Sequence, residues 1–298
     1  MKASLDCIPC LVRQALDAAR MASPDPLVHK RVLCEMLRWT GEMDMDEPPP
    51  ILGQRFHRWL REITGIEDPY RSAKDRFNRL ALSLLPDLRA TIKAAQDPLA
   101  MAVCIAIAGN VIDMGTNGNL TESEVRKSID EVLAEPLTGI ENGFRQAIAE
   151  AQDILYLADN TGEIAFDRLL IEQLSPPRVT LALRGSPVIN DATLTDARYV
   201  GLHEIVKVID NGSDAPGTVL EDCSPEFVRR FTEADLILAK GQGNFETLND
   251  EPRNIFSLFK AKCPVIAAHV GVPVGTYVLA QPNARLLSSE GPGGSKRC

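Results

Sequence analysis

The stretch Asp153-Ile-Leu-Tyr-Leu-Ala-Asp-Asn-Thr-Gly-Glu-Ile-Ala-Phe-Asp167 decides how this chain is read. Its apolar run over 154–158 predicts a strand buried on both faces, as in a parallel sheet. The run ends in Asp159-Asn160-Thr161-Gly162, and the amphipathic pattern from Glu163 onward predicts a helix. A carboxylate and an amide therefore fall at the carboxyl end of a strand, where open α/β sheets place their ligand crevices. Gly162 allows a sharp turn, and the N–H groups opening the next helix form an expected anion site. Oxygen ligands for a hard cation beside an anion cradle point to metal-assisted chemistry on a phosphate.

Outward from this stretch, short β-branched or leucine-rich runs alternate with helical patterns. Strands are expected over 154–158, 179–183, 204–208, 236–239, 265–268 and 277–279. Helices are expected over 163–173, 191–199, 216–219, 225–232 and 252–260. The alternation predicts a three-layer α/β/α, Rossmann-like domain over 151–287 with a mostly parallel sheet. Residues 1–150 read instead as an all-helical domain. Apolar positions recur at helical spacing over 9–21, 28–37, 53–64, 70–85, 98–113, 122–135 and 140–151. Ser23-Pro24, Pro48-Pro49-Pro50 and Asp68-Pro69 separate these segments. The Gly- and Ser-rich tail, 288–298, is expected to be disordered.

With 298 residues, 45% of them apolar, the chain can bury a full core as one large domain or two ordinary ones. Its longest apolar stretch, 99–108, falls far short of the roughly 20 residues a membrane span needs. The opening Met1-Lys2-Ala3-Ser4-Leu5-Asp6 has no apolar signal region, and seven scattered cysteines do not form a disulfide framework. A cytoplasmic location is therefore expected. A net charge of −9 argues against a nucleic-acid role but leaves room for a small phosphorylated substrate.

Four segments carry the candidate chemistry. They are Asp159 to Glu163 with Asp167, Arg184-Gly185 through Asn190-Asp191-Ala192-Thr193, Asp210 to Asp214, and Lys240-Gly241-Gln242-Gly243-Asn244-Phe245-Glu246. If their strands are parallel neighbours, all four loops meet at one sheet edge. Asp159, Asn160 and Asp191 would then offer oxygens to a divalent cation. Lys240 is a point charge for phosphate oxygens in Gly-rich surroundings, and Arg184 is a second positive contact. Each segment alone has a plainer reading. Asp-Asn-x-Gly is ordinary turn chemistry, Asn190-Asp191 can cap a helix, and Glu163 and Asp167 can be first-turn acids favoured by the helix dipole. The case rests on convergence.

Cys7-Ile8-Pro9-Cys10 is a single C-x-x-C without a second pair at zinc spacing or a preceding strand. It reads as small cysteines buried at a helix start, or as a redox-sensitive pair or metal half-site drawing on Cys34 or Cys104. His29, His57, His203 and His269 are isolated, which leaves histidine-ligated zinc and a Ser-His-Asp triad unsupported.

Taken together, these segments resemble the metal-dependent damage-control phosphatase family, also called acidic-residue-methyltransferase-like and formerly a domain of unknown function. Asp6-Cys7-Ile8-Pro9-Cys10, Asp68-Pro69-Tyr70 with Lys74 and Asn78, and Ala108-Gly109-Asn110-Val111-Ile112-Asp113 extend the match into the helical half. The C-x-x-C is similar to that of the stand-alone, mostly prokaryotic branch. The resemblance implies a helical part packed on an α/β/α domain and a divalent cation held by Asp159, Asn160 and Asp191. It implies nickel or cobalt as the preferred ion, with manganese or magnesium as alternatives. It further implies that Lys240 binds the substrate phosphate and that Asn110 and Asp113 reach into the site. Gly162, Arg184 and Asn244 are the remaining substrate contacts.

The expected activity is hydrolysis of a small phosphomonoester by water that the cation activates, with a carboxylate (Asp159 or Glu163) as base or nucleophile in second place. Two rivals remain. One is carboxyl methyl transfer from S-adenosylmethionine, against which the first loop lacks a Gly-x-Gly run. The other is a non-enzymatic metal- or metabolite-binding protein that uses the C-x-x-C as a sensor.

Overall fold

The structure, a computed structural model, describes residues 1–111, 122–134 and 142–281. Seven α-helices come first: α1 (Cys7–Ala22), α2 (Pro26–Glu42), α3 (Pro49–Thr64), α4 (Arg71–Ala94), α5 (Pro98–Ala108), α6 (Glu122–Ala134) and α7 (Asn142–Glu150). Proline at the first helical turn and Asp25 or Asp97 accepting backbone N–H groups start α2 and α5. Helix α4 runs on through Pro86, against the end expected near 85. Proline removes one helical hydrogen bond there, but Leu84, Leu85, Leu88 and Ile92 are buried on both sides of it and the helix continues.

From Ile154 the chain builds one sheet from β1 (Ile154–Leu157), β2 (Val179–Leu183), β3 (Lys207–Asp210), β4 (Leu236–Lys240), β5 (Ile255–Lys260) and β6 (Tyr277–Ala280). The strand order is β3-β2-β1-β4-β5-β6; β1 to β5 are parallel and β6 pairs antiparallel with β5. Five more helices alternate with the strands: α8 (Glu163–Gln173), α9 (Leu194–Tyr199), α10 (Pro225–Glu233), α11 (Gly241–Leu248) and α12 (Pro264–Val270).

The strand alternation sets the layers. Ile154, Tyr156, Leu181, Leu236 and Leu238 face the main core, which also takes residues of α4, α5 and α8. Leu155, Leu157, Ala182, Ile237 and Ala239 face the opposite layer, where Phe227 and Phe231 of α10 pack. The expected three-layer, mostly parallel architecture is what forms. The main core draws on both the helical segment and the sheet, so the first half of the chain is packed directly on the second.

Four local expectations are corrected. The segment 252–260 contains β5, and 265–268 lies in α12, so helix and strand exchange places. Ile255, Phe256, Leu258 and Phe259 bury apolar groups on both faces, a pattern that does not separate strand from helix. Three cap signals reveal α12: Pro264 in its first turn, the Cys263 sulfur accepting from Ile266 N–H, and Gly271 closing it at φ 74°. The strand expected over 204–208 begins later, at Lys207, after a 3-10 turn over Leu202–Glu204. No helix forms at 216–219, because Thr218 N–H donates to Thr247 Oγ1 and ties that loop to α11. Asp113 and the tail 288–298 lie outside the described residues. No helix among the described residues is long and apolar enough to cross a membrane.

Candidate active site

The strand order reverses between β1 and β4, and open sheets form a crevice beyond the carboxyl ends of their strands at such a switch. Asp159 lies two residues past the end of β1 and Lys240 ends β4, so both stand at this point. Backbone bonds bring the second loop to the first. Thr161 N–H donates to Asn190 O at 2.8 Å and Ala192 N–H to Asp159 O at 2.8 Å, forming an antiparallel bridge between Asn160 and Asp191. The trio Asp159, Asn160 and Asp191 is thus assembled by main-chain pairing rather than by helix capping. Gly241 has to be glycine: its φ is 79°, and a Cβ would stand 1.9 Å from Asp159 Oδ2.

Around Asp159 the polar groups are closely matched. Its Oδ2 accepts from Asn160 Nδ2 at 2.6 Å and from Asn110 Nδ2 at 3.0 Å. Its Oδ1 accepts no hydrogen bond among the described residues, and the Arg184 guanidinium lies 3.9 Å from it. Burial, then the charges of Glu163 and Asp191, push the Asp159 carboxyl well above its usual range, with Lys262 and Arg184 partly opposing. Arg184 is buried; its Nε donates to Asp191 Oδ2 at 2.7 Å and its Nη1 to Asn244 Oδ1 at 3.2 Å. Its Nη2 is buried with no hydrogen-bond acceptor among the described residues. Such a donor is costly to leave unpaired.

Several expected substrate contacts turn out to be braces. Lys240 has no exposed surface, and its ammonium donates to Ala106 O at 2.8 Å, Glu163 Oε1 at 2.7 Å and Asp167 Oδ1 at 2.5 Å. Its three hydrogens are committed, so in this geometry Lys240 is the counter-ion of two buried carboxylates. Glu163 is equally committed. It accepts from Lys240, from Asn110 Nδ2, and from the backbone and side-chain nitrogens of Asn160. That leaves it poorly placed to act as a base. Asn110 is held between Asp159, Glu163 and the Lys260 N–H. Asn244 donates to Ala158 O and Lys240 O and accepts from Thr218 and Arg184.

The anion cradle expected at the start of α8 is filled as well. Gly162, at φ 82°, donates its N–H to Asn78 Oδ1 at 3.0 Å, and the Thr161 N–H is spent on Asn190. The open amino end is that of α11, whose first turn has no side-chain cap and lies against Asp159. The Gly-rich segment after β4 is therefore a helix start and not a loop.

Cys7 and Cys10 lie in the first turn of α1 with no disulfide between them, Cys7 partly buried and Cys10 exposed, so the expected buried pair does not form. Burial pushes the Cys7 thiol up, and Glu246 and Cys263 are its charged neighbours rather than Cys34 or Cys104. No group of three or more His, Cys, Asp and Glu side chains converges as a metal site among the described residues. The Asp159, Asn160 and Asp191 set, with two carboxylates and an amide, is of a different kind.

Sequence reading missed three contributors: Thr218, which orients Asn244; Lys262, whose charge acts on Asp159; and Tyr156, whose hydroxyl donates to Asp167 Oδ1 at 2.8 Å. Only Tyr156 left a signal. A phenol inside an apolar strand needs a polar partner, and Asp167 stands one helical turn past Glu163.

Fold and site together define the class: a Rossmann-like α/β protein with its polar residues gathered at the switch point. The chain matches the damage-control phosphatase ARMT1-like domain over residues 3–278. It is 36% identical over 295 residues to an uncharacterized protein of Methanocaldococcus jannaschii, spanning 94% of this chain and 95% of that one. A damage-control phosphatase of Archaeoglobus fulgidus is 34% identical, with 93% and 98% covered. The crystal structure of a DUF89 family protein from Pyrococcus horikoshii superposes with a TM-score of 0.84 at 31% identity, covering 95% of this chain and 99% of that one. The chain belongs to the damage-control phosphatase ARMT1-like family, and its relatives support a phosphatase role.

Proposed function

We propose that this protein is a metal-dependent phosphomonoesterase acting on a small phosphorylated metabolite. One observation carries the reading: a charge deficit at the switch point. Among the described residues, four carboxylates, Asp159, Glu163, Asp167 and Asp191, share that region with two buried cations, Lys240 and Arg184. A divalent ion supplies two positive charges, and Lys262 adds to them from the partly exposed side.

The donor set fits such an ion. Asp159 Oδ1 and Asn160 Oδ1 accept no hydrogen bond among the described residues, and Asp191 stands across the bridge from them. All-oxygen donors suit magnesium or manganese directly, and the family resemblance adds nickel and cobalt. When bound, the cation would polarise a phosphoryl oxygen and acidify a water.

The remaining roles fall to the chain's own residues. Arg184 would offer the phosphoryl oxygens its Nη2, which has no hydrogen-bond acceptor among the described residues, and the uncapped amides of α11 would offer further donors. Asp159 keeps one oxygen open and is the carboxylate suited to take the proton of the attacking water. Glu163, with its acceptor sites filled, is not. Methyl transfer gains no support, because the loop after β1, Asp159-Asn160-Thr161-Gly162, has no Gly-x-Gly run for a cofactor to pack against.

Phosphate release from a panel of phosphorylated metabolites tests this reading. Metal-stripped protein would be assayed with nickel, cobalt, manganese or magnesium restored, beside Asp159→Ala. Release that needs a cation and falls at least about a thousandfold in the variant supports it. Folded protein that releases nothing with any cation would sink it.

A further inference from the structure

Asn160 can serve a cation only through its carbonyl oxygen, and a primary amide has two orientations that exchange this oxygen for an NH2 group. Some feature of the protein has to select between them. Asn160 Nδ2 donates to Asp159 Oδ2 at 2.6 Å and to Glu163 Oε2 at 2.9 Å. Both amide hydrogens are thereby spent, and Oδ1 is turned away from the two carboxylates.

Asp159 is itself a candidate ligand, so the fixed reference is Glu163. It has no exposed surface, and four donor groups converge on it: Lys240 Nζ, Asn110 Nδ2, and the main-chain and side-chain nitrogens of Asn160. An arrangement this rich in donors fits a carboxylate that only accepts. Lys240 sits behind it, bridging Glu163 to Asp167, and Asp167 accepts from the Tyr156 hydroxyl.

The geometry points to a positioning chain, Tyr156–Asp167–Lys240–Glu163, that fixes the Asn160 amide with its oxygen toward the cation. Glu163 and Lys240 are then positioning residues, in place of the base and phosphate ligand that the sequence suggests. The inference rests on the cation reading proposed above. Outer partners of this kind orient the groups that touch a metal and change its affinity when lost.

Glu163→Gln separates the possibilities, because it keeps the shape and places an NH2 where an oxygen now accepts. Turned toward Lys240, this NH2 opposes an ammonium. Turned toward Asn160, it opposes Nδ2, and the Asn160 amide relieves the clash by flipping its oxygen away from the cation. Adding Lys240→Met removes the ammonium, so the glutamine can face Asn160 with its oxygen again.

Manganese alone would be titrated calorimetrically into metal-stripped wild type, Glu163→Gln and the double variant, and the visible spectrum of bound cobalt recorded for each. The expected result is binding about 10- to 100-fold weaker in Glu163→Gln with an altered cobalt spectrum. In the double variant, binding should return to within about threefold of wild type. Wild-type affinity and spectrum in Glu163→Gln would overturn the inference. If that variant does not fold, a folded double variant that binds tenfold or more weakly overturns it equally. A wild type that binds neither manganese nor cobalt would defeat the cation reading itself, which is a distinct outcome.

Discussion

Lys240 lies without exposed surface between Glu163 and Asp167, whereas the Arg58 side chain is 46% exposed as it bridges Asp214 and Asp222. Both clusters join the helical half to the sheet half. The first reaches Ala106 of α5 through Lys240. The second fastens Arg58, Arg61 and Gln54 of α3 to the loops after β3. Their chemistry is alike, and their surroundings are opposite. In the buried cluster each hydrogen of Lys240 has an acceptor, because water cannot make up a shortfall there. In the other cluster Asp214 is nearly buried but Arg58 stands in solvent, so water competes for the Arg58 charge. The contrast teaches that burial, and not the number of ion pairs, decides which cluster the site depends on.

The largest difference should appear on removing one charge from each. Lys240→Met leaves two buried carboxylates without their cation and should cost about 3–5 kcal/mol of stability. Arg58→Ala should cost about 1 kcal/mol or less, because its side chain is screened by solvent. Denaturant unfolding of both variants measures the two costs. Equal costs would break the comparison.

A smaller effect lies in pH. Burial pushes the Asp167 carboxyl up to about 6, with Lys240 only partly opposing. A raised carboxyl pKa means that the folded state holds its proton longer than the unfolded state does, so stability falls as pH rises from about 4 to about 6. Asp214 is the reverse. Burial raises its carboxyl pKa, but the hydrogen bonds from Arg58 and Gln54 and the Arg58 charge outweigh this and hold it below the usual value. Its contribution is complete above about pH 4 and is lost only as pH falls below that. Between pH 4 and 7 the cost of Asp167→Asn should therefore shrink with rising pH, while that of Asp214→Asn stays flat. Urea unfolding across that range reads both slopes, and parallel slopes would refute the assignment.

Much of the fold was legible because strand ends and turn chemistry coincide in the Asp153–Asp167 stretch. Five of the six strands fell close to their expected places, and the breakers at Pro24, Pro49 and Pro69 bounded real helices. The exchange at 252–270 failed for a physical reason: a strand buried on both faces has no period to read. At the site, the sequence brought Asp159, Asn160, Asp191, Arg184 and Lys240 to one edge. It did not reveal which of them face outward. A lysine after a strand looks the same whether it meets a phosphate or three internal acceptors, and only the packing of Ala106, Glu163 and Asp167 around Lys240 separates the cases. Asn110 and Asn244 were hidden likewise, since an amide gives no sign in sequence of being saturated.

The central claim is that a cation belongs between Asp159, Asn160 and Asp191. Anomalous diffraction from crystals of the protein soaked in cobalt(II) tests it most directly. The account predicts one strong peak in contact with oxygens of all three residues, with Lys240 still paired to Glu163 and Asp167. A map without a peak there, or with its strongest peak at Cys7 and Cys10, would contradict it.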